Sequence, residues 1–123
     1  MTQQQTESIE ATTPQKGALY SVDDGEGFFR VAKVLAVDPG GVHVRLYKNR
    51  FTVRPATTDP SKLDLGTIHD PDGFGMGHLP LTHRAFAAWL PVCLSVGSVT
   101  EEELDGYWEW QSAQGGYFGP SPH

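Results

Sequence analysis

Residues 28–51 read FFRVAKVLAVDPGGVHVRLYKNRF, and this stretch decides the fold. Two segments rich in β-branched and aromatic residues, 28–37 and 42–51, flank the turn-forming sequence DPGG at 38–41. Such side chains favour extended backbone, while proline fixes φ and glycine accepts positive φ in a tight turn. The stretch therefore predicts a β-hairpin.

The second arm of this hairpin alternates between apolar and polar side chains. Because successive side chains point to opposite faces of a strand, the apolar set is predicted to face the core and the polar set to face solvent. The apolar set is Val42, Val44 and Leu46, and the polar set is His43, Arg45, Tyr47 and Asn49.

Positive charge is concentrated on the hairpin. Six of the nine Lys and Arg residues lie between positions 28 and 54, where Asp38 is the only acidic residue. Basic side chains interleaved with aromatic ones can bind phosphates and stack on bases, although the same charges can also be solvated or protect a sheet edge. A nucleic-acid-binding module that uses this hairpin is therefore one functional hypothesis. Its binding surface would consist of Arg30, Lys33, His43, Arg45, Tyr47, Lys48 and Arg50.

Strand and loop signals flank the hairpin. Residues 18–22 predict a first strand, and the Asp- and Gly-rich residues 23–27 predict the turn that follows it. Prolines and glycines between 52 and 77 indicate a long loop, in which 62–68 is the candidate for a short extended piece. Residues 91–96 are interpreted as a connector or a strand.

A first helix is predicted after this loop. Thr82 is suited to cap its N-terminus, and Pro91 ends it because proline cannot continue a helix. Its predicted apolar face is Phe86, Trp89 and Leu90.

A second helix is predicted at 101–113, beginning with a capping box formed by Thr100 and Glu103. Its predicted core face is Leu104, Tyr107, Trp108 and Gln111. Trp110 lies off that face, so it is either covered by the C-terminal Tyr117 and Phe118 or exposed at an interface.

These elements predict an α+β fold, with a small twisted antiparallel sheet of four or five strands and two C-terminal helices packed on it. The chain has 123 residues, which suits one domain. Residues 1–16 and 119–123 lack the apolar side chains of a core and are predicted to be disordered tails. The domain is predicted at 17–118.

Net charge, cysteine content and the lack of long apolar runs limit the functions that the sequence is expected to have. The formal net charge of −6 at pH 7 disfavours a general nucleic-acid binder and suits either solubility or a basic partner. The single cysteine, Cys93, cannot form an internal disulfide. No signal peptide and no run of roughly 18 apolar residues is evident. A cytoplasmic protein that does not enter the membrane is therefore predicted.

Histidine and carboxylate side chains cluster within fifteen residues, at His69, Asp70, His78 and His83. Imidazole and carboxylate groups are zinc ligands, but these spacings match no compact metal signature. A metal-dependent hydrolase built on this loop therefore ranks third, behind a binding protein and a nucleic-acid-binding module. No cofactor is predicted. The glycine-rich segment 73–77 lacks the Lys-Ser/Thr ending of a phosphate loop, so nucleotide binding is not predicted.

The segment GALYSV at 17–22, followed by Asp24-Gly25 and by FRVAKVL at 29–35, resembles the opening of the immunity protein 26 group. These small bacterial proteins from polymorphic toxin loci begin with a strand after a glycine, a glycine-containing loop and an arginine-containing apolar strand. The resemblance covers about the first third of the chain. It implies an SH3-like β core and inhibition of a toxin by direct binding, without catalysis.

We therefore expect a non-enzymatic binding protein, an immunity protein whose partner is a basic, nuclease-like toxin. Negative charge accelerates association with a positively charged partner, and no nucleophile, base and orienting residue can be combined from the sequence. The predicted partner-binding residues are acidic groups of the first turn and second helix together with an aromatic anchor: Asp23, Asp24, Glu26, Glu102, Asp105 and Trp110.

Overall fold

The fold is built on an antiparallel sheet. The computed structural model describes residues 14–71 and 73–119, and within them the sheet consists of β1 (Ala18–Asp23), β2 (Phe29–Asp38), β3 (Gly41–Leu46), β4 (Met76–Leu81) and β5 (Val92–Val96). The strand order is β4-β3-β2-β1-β5, so the last strand pairs with the first. The predicted α+β class with an antiparallel sheet is confirmed.

The predicted hairpin is confirmed as β2 and β3. Asp38 pairs with Gly41 across a tight turn. β3 ends at Leu46, short of the predicted limit at Phe51, although the amide of Tyr47 still donates to a carbonyl of β2 at 3.0 Å. Register shifts between the two strands mark bulges, which bend the hairpin and increase its twist.

The strand β4 is absent from the sequence-based prediction, which has no strand in this region. Pro80 disfavours a strand in the sequence, because proline has no backbone N–H to donate to a neighbouring strand and is tolerated only at sheet edges and bulges. β4 lies at the edge of the sheet, where the C-terminal segment covers it. The amide of Thr82 donates to the carbonyl of Phe118 at 2.9 Å, and the amide of Phe118 donates to that of Pro80 at 2.9 Å.

The long loop before β4 is present as predicted, but its candidate extended piece is not a strand. A single 3₁₀ turn, Pro60–Lys62, is assigned within the part of this loop that the structure describes. Asp59 caps this turn by accepting from the amide of Ser61 at 3.0 Å. Proline at the first position of the turn explains why the chain coils here instead of extending.

The helix α1 (His83–Ala88) packs on one face of the sheet. Thr82 caps it as predicted, because its hydroxyl accepts from an amide of the first turn at 3.1 Å. Phe86 is 1% exposed and meets Tyr20 edge-to-face, with 5.6 Å between ring centroids. Leu90 lies beyond the helix with φ of 55° and is 60% exposed, so its predicted place on the apolar face of this helix is wrong.

This face of the sheet carries the larger hydrophobic core. It collects alternate residues of β1, β2 and β3, as the alternation in the hairpin predicts. The buried members are Ala18, Tyr20, Val22, Ala32, Val34, Val42, Val44, Leu81 and Phe86.

A 3₁₀ turn (Glu102–Leu104) leads into α2 (Asp105–Ser112), which lies over the opposite face. The predicted capping box is confirmed. The amide of Thr100 donates to Glu103 Oε1 at 2.9 Å, and the amide of Glu103 donates to the hydroxyl of Thr100 at 3.2 Å. The Thr100 hydroxyl and the Glu103 carboxylate thus each accept from a backbone amide that the start of a helix leaves unpaired.

The face that α2 turns toward the sheet differs from the predicted one. Tyr107 is buried and Trp110 packs against the same cluster, but Trp108 is 46% exposed and Gln111 is exposed. The predicted burial of Trp108 and Gln111 is therefore wrong.

Gly106 gives the physical reason for this orientation. A Cβ at Gly106 would lie only 2.7 Å from the Cβ of His78. The helix approaches β4 through the one position that has no side chain, and this approach turns Tyr107 and Trp110 toward the sheet. Trp108 then faces away from it.

Residues 1–13 and 120–123, which hold most of the two predicted tails, lie outside the described residues, as does Asp72. Over 14–71 and 73–119, none of the helices is long and apolar enough to cross a bilayer.

Replacing Glu103 by alanine is expected to lower the free energy of unfolding by about 1–2 kcal/mol. Its carboxylate accepts from Lys33 Nζ at 3.0 and 3.1 Å, and its side chain is 14% exposed. Burial raises the pKa of Glu103, but the Thr100 amide and Lys33 outweigh burial and hold this pKa below its ordinary value. Urea denaturation measures the loss. Glu102→Ala, an exposed neighbour, is the control, and equal losses would contradict the prediction.

Candidate functional site

The polar face of the hairpin is covered at His43 by α2 and the C-terminal segment, whereas Arg45, Tyr47 and Asn49 are partly exposed. His43, predicted to be solvent-facing, is 0% exposed. Its Nε2 lies 3.1 Å from Asp38 Oδ2 and 3.0 Å from the hydroxyl of Tyr117, and its Nδ1 lies 2.9 Å from Nε2 of His78. Together with Tyr107, these side chains form a cluster that we call the His43 network.

Asp38 is the common acceptor of the His43 network. The hydroxyl of Tyr107 donates to both carboxylate oxygens at 3.1 Å, and that of Tyr117 donates to Oδ2 at 3.3 Å. A carboxylate only accepts, so the Nε2–H of His43 donates to it, and Nδ1 of His43 then accepts from Nε2–H of His78. The bonding pattern assigns these tautomers.

The protonation states follow from burial. Burial lowers the pKa of His43, although Asp38 acts in the opposite direction. Burial and the neighbouring His43 lower the pKa of His78 to about 4, whereas burial and Asp38 raise the pKa of Tyr117 to about 12. At pH 7 the imidazoles are neutral and this hydroxyl keeps its proton. The network therefore acts as a set of fixed hydrogen bonds that hold α2 and the C-terminal segment on the sheet.

Trp110 packs over His43 and Tyr117 on the outer side of the His43 network. Its ring centroid lies 4.4 Å from that of His43 and 5.0 Å from that of Tyr117, and its Nε1 donates to the carbonyl of Gly116 at 2.8 Å. Of the two predicted positions for Trp110, cover by the C-terminal segment is the one found, through Tyr117, whereas Phe118 is 61% exposed. Trp110 is half-buried as a result.

The four residues considered as metal ligands are dispersed. His78 belongs to the His43 network, and His83 contacts the backbone carbonyl of Asp38 at 2.8 Å through Nε2. Asp70 accepts from Lys48 Nζ at 2.9 Å, and His69 is exposed. Among the described residues, no group of three or more His, Cys, Asp or Glu side chains is arranged to hold a metal ion.

The basic side chains of the hairpin have intramolecular partners. Lys33 pairs with both oxygens of Glu103, and Oε2 of Glu103 also lies 4.0 Å from Arg45 Nη1. Lys48 pairs with Asp70. Arg30 donates to two backbone carbonyls, and Arg54 donates to the carbonyl and the hydroxyl of Ser21. Arg50 lies over the ring of Phe28, 5.7 Å from its centroid.

Tyr47, also predicted on the nucleic-acid-binding surface, is half-buried. Burial raises the pKa of its hydroxyl. Together with the burial of His43, this leaves neither aromatic ring of the predicted nucleic-acid-binding surface fully exposed for stacking on bases.

The turn between β1 and β2 borders a cleft that we call the Trp89 cleft. It has a volume of about 80 Å³ and is lined by Val22, Asp23, Asp24, Arg30, Leu46 and Trp89. The amide of Asp23 donates to the carbonyl of Trp89 at 2.8 Å, which joins the turn to the end of α1.

The carboxylate of Asp24 is oriented by the turn. Its Oδ1 accepts from the amides of Glu26 at 2.7 Å and Phe28 at 3.1 Å. Its Oδ2 is buried and has no hydrogen-bond partner among the residues that the structure describes. Asp23 Oδ1 accepts from the amide of Gly25 at 2.8 Å.

The six predicted partner-binding residues fall into two groups. Asp23, Asp24 and Glu26 belong to the turn beside Trp89, which packs on the α1 face of the sheet. Glu102 and Asp105 are exposed at the start of α2, over the opposite face, and Trp110 covers His43 there. One small partner surface cannot readily contact both groups.

Sequence reasoning missed the contribution of Trp89 to this cleft and of Tyr117 to the His43 network. Trp89 is near the turn only because α1 folds back over the sheet. Tyr117 is near Gly41, where an added Cβ would lie 2.5 Å from its ring. The glycines at 40 and 41 were the available signal, since their lack of side chains leaves room for an aromatic ring.

Comparison with known proteins adds no relative: no family model matches the sequence, and neither the curated proteins nor the solved structures gave a significant match. The likeness to the immunity protein 26 group therefore stays a prediction.

Proposed function

We propose that this protein is a non-enzymatic immunity protein that neutralises a basic bacterial toxin in the cytoplasm by direct contact centred on the β1–β2 turn. The proposal includes the SH3-like sheet with two C-terminal helices packed on it. The return of β5 to the side of β1 supports that architecture, as do the bulges that bend the hairpin.

The observation that carries the proposal is the distribution of charge. Three of the six basic residues of the hairpin region, Lys33, Arg45 and Lys48, lie within 4.0 Å of a carboxylate, whereas no ion pair involves the carboxylates of the turn within residues 14–71 and 73–119. The turn therefore carries negative charge that no ion pair neutralises in the described part of the chain, in keeping with the net charge of −6. An acidic surface steers a basic partner into contact and suppresses acidic ones.

The same observation counts against the nucleic-acid alternative. A protein that binds phosphates needs cations that are free to neutralise them. Lys33 and Lys48 are instead paired with carboxylates at 3.0 and 2.9 Å. We expect labelled single-stranded DNA and RNA to bind weakly, and the Arg45→Ala, Lys48→Ala double variant to bind no differently. Tight, salt-sensitive binding that this variant abolishes would support the alternative.

The direct test is co-expression with the toxin gene adjacent to the gene of this protein. We expect the chain to restore growth and to form a complex with the purified toxin. A neighbourhood without a toxin gene, or a toxin that the chain neither binds nor neutralises, would contradict the proposal.

Reversing one charge in the turn is expected to slow association with that toxin. Glu26→Lys should lower the association rate roughly tenfold at low salt and much less at high salt, because exposed charges act mainly on the encounter rate and are screened. Stopped-flow fluorescence measures this rate. Glu102→Lys changes the net charge equally but lies on the other side of the sheet. Equal effects of the two variants would show that only net charge matters and that the turn is not the contact.

A further inference from the structure

A cavity larger than the Trp89 cleft, which we call the Lys33 cleft, opens on the face of the sheet that carries α2. It has a volume of about 240 Å³, and its lining includes Leu19, Lys33, Tyr47, Pro60, Val96 and Ser98. Leu19 and Lys33 are register partners on β1 and β2, and Lys33 reaches Glu103 just ahead of α2. The Lys33 cleft is therefore separate from the contact proposed for the toxin.

Two hydrogen-bond donors converge in the Lys33 cleft. The ammonium group of Lys33 has three protons and holds the two oxygens of Glu103 at 3.0 and 3.1 Å, so at least one proton remains for a further acceptor. The hydroxyl of Tyr47 has no hydrogen-bond partner among residues 14–71 and 73–119. Asp24 Oδ2 is buried and unpaired, whereas this hydroxyl is unpaired at the wall of an open cleft. Burial raises the pKa of Tyr47, so the hydroxyl keeps its proton at pH 7 and donates.

The local charge favours an anion. Among the described residues that line the cleft, Lys33 is the only charged one. The carboxylate of Glu103 is shared between Lys33 and Arg45, whose Nη1 lies 4.0 Å from Oε2, so these three side chains carry a net charge of +1. The net charge of −6 on the whole chain opposes long-range attraction of an anion. Affinity must therefore come from contacts within the cleft.

We propose that the Lys33 cleft binds a small carboxylic acid with a compact apolar body, whose carboxylate accepts from Lys33 Nζ and from the Tyr47 hydroxyl. Leu19, Pro60 and Val96 supply apolar walls for that body. Val96 is 55% exposed, so a ligand that covers it removes apolar surface from water. The volume of about 240 Å³ lies just below the roughly 300–1,000 Å³ of pockets for drug-sized ligands, which suits one ring with a short acid arm.

The test titrates the whole chain with hydrocinnamate and with its neutral amide, followed by NMR. The acid should bind with a dissociation constant of about 1 mM or below and shift the amide signals of Leu19, Gly97 and Ser98. The neutral amide has the same shape without the charge, so it should bind roughly tenfold more weakly. Acetyl-Gly-Phe carries the same ring and acid at the end of a peptide and should bind no more tightly than hydrocinnamate.

Two variants test the contacts. Ser98 is exposed at the cleft, so Ser98→Phe should block the cleft and abolish binding without touching Lys33. Ser112→Phe makes the same change at an exposed serine on α2 and should have no effect. Tyr47→Phe removes one donor to a charged group and should weaken binding roughly tenfold. Unchanged dispersion of the remaining NMR signals confirms that each variant is folded.

The inference would be overturned by the absence of saturable binding up to about 10 mM, by equal binding of the acid and its amide, or by unchanged binding in the Ser98→Phe or Tyr47→Phe variant. Tighter binding of acetyl-Gly-Phe would replace the free acid by a peptide terminus. None of these results bears on toxin neutralisation, because the cleft lies apart from the β1–β2 turn. A chain that binds hydrocinnamate but neutralises no toxin would retain the site and lose the proposed function.

Discussion

Replacing Phe86 by alanine is expected to lower the free energy of unfolding by about 3–5 kcal/mol. Phe86 is 1% exposed, and its ring packs between Tyr20 and Trp89, at centroid distances of 5.6 and 6.2 Å. Alanine would leave a cavity at the contact between α1 and the sheet, and this loss is a large part of the stability of a domain of this size. The shift in the midpoint of urea denaturation, at unchanged slope, measures it.

Trp108→Ala is the control for this prediction. It removes a larger side chain than Phe86→Ala does, but Trp108 is 46% exposed. The expected loss is therefore below that of Phe86→Ala by about 2 kcal/mol or more. A Trp108→Ala variant as unstable as Phe86→Ala would restore the orientation of α2 that helical periodicity predicts and contradict the structure.

Acidification is expected to destabilise the protein between about pH 6.5 and pH 4 by about 2–3 kcal/mol. Burial lowers the pKa of His43, and burial together with His43 lowers the pKa of His78 from 6.5 to about 4. In this range the unfolded chain binds protons that the folded chain does not. Stability is thus fully present above pH 6.5 and is lost as pH falls toward 4.

Urea denaturation at several pH values measures this dependence, and His78→Gln isolates its source. Glutamine can still donate to His43 Nδ1 but does not titrate, so the loss between pH 6.5 and 4.5 should become smaller. His69→Gln removes an exposed histidine and should leave the dependence intact. If both variants behaved like the parent, the His43 network would not be the source of acid sensitivity.

Much of the fold was predictable because its signals are local. The turn at Pro39 and Gly40 separates two segments that pair with each other, so strand, turn and strand are adjacent in the chain. The caps at Thr82 and Thr100 also act within one helical turn. β4 was not predictable in this way, because its place at the sheet edge, which makes Pro80 tolerable, is decided by strands far away in sequence.

The candidate site was predictable only in part. The acidic turn follows from residues that are neighbours in the chain, and Asp23 and Asp24 accept backbone amides within it. Trp89 borders the same turn only because α1 folds back over the sheet. The side of α2 that meets the sheet depends on the contact between Gly106 and His78, which periodicity within the helix does not contain.

By itself the sequence determined the hairpin, the helix caps, the α+β class and the excess of negative charge, because each rests on composition or on residues a few positions apart. Only the tertiary structure decided that His43 is buried and that Asp24 Oδ2 has no hydrogen-bond partner among residues 14–71 and 73–119. Alternation tells which face of a strand a side chain is on, but what covers that face comes from distant segments. Tyr117, which contacts His43 across 74 positions, is such a segment.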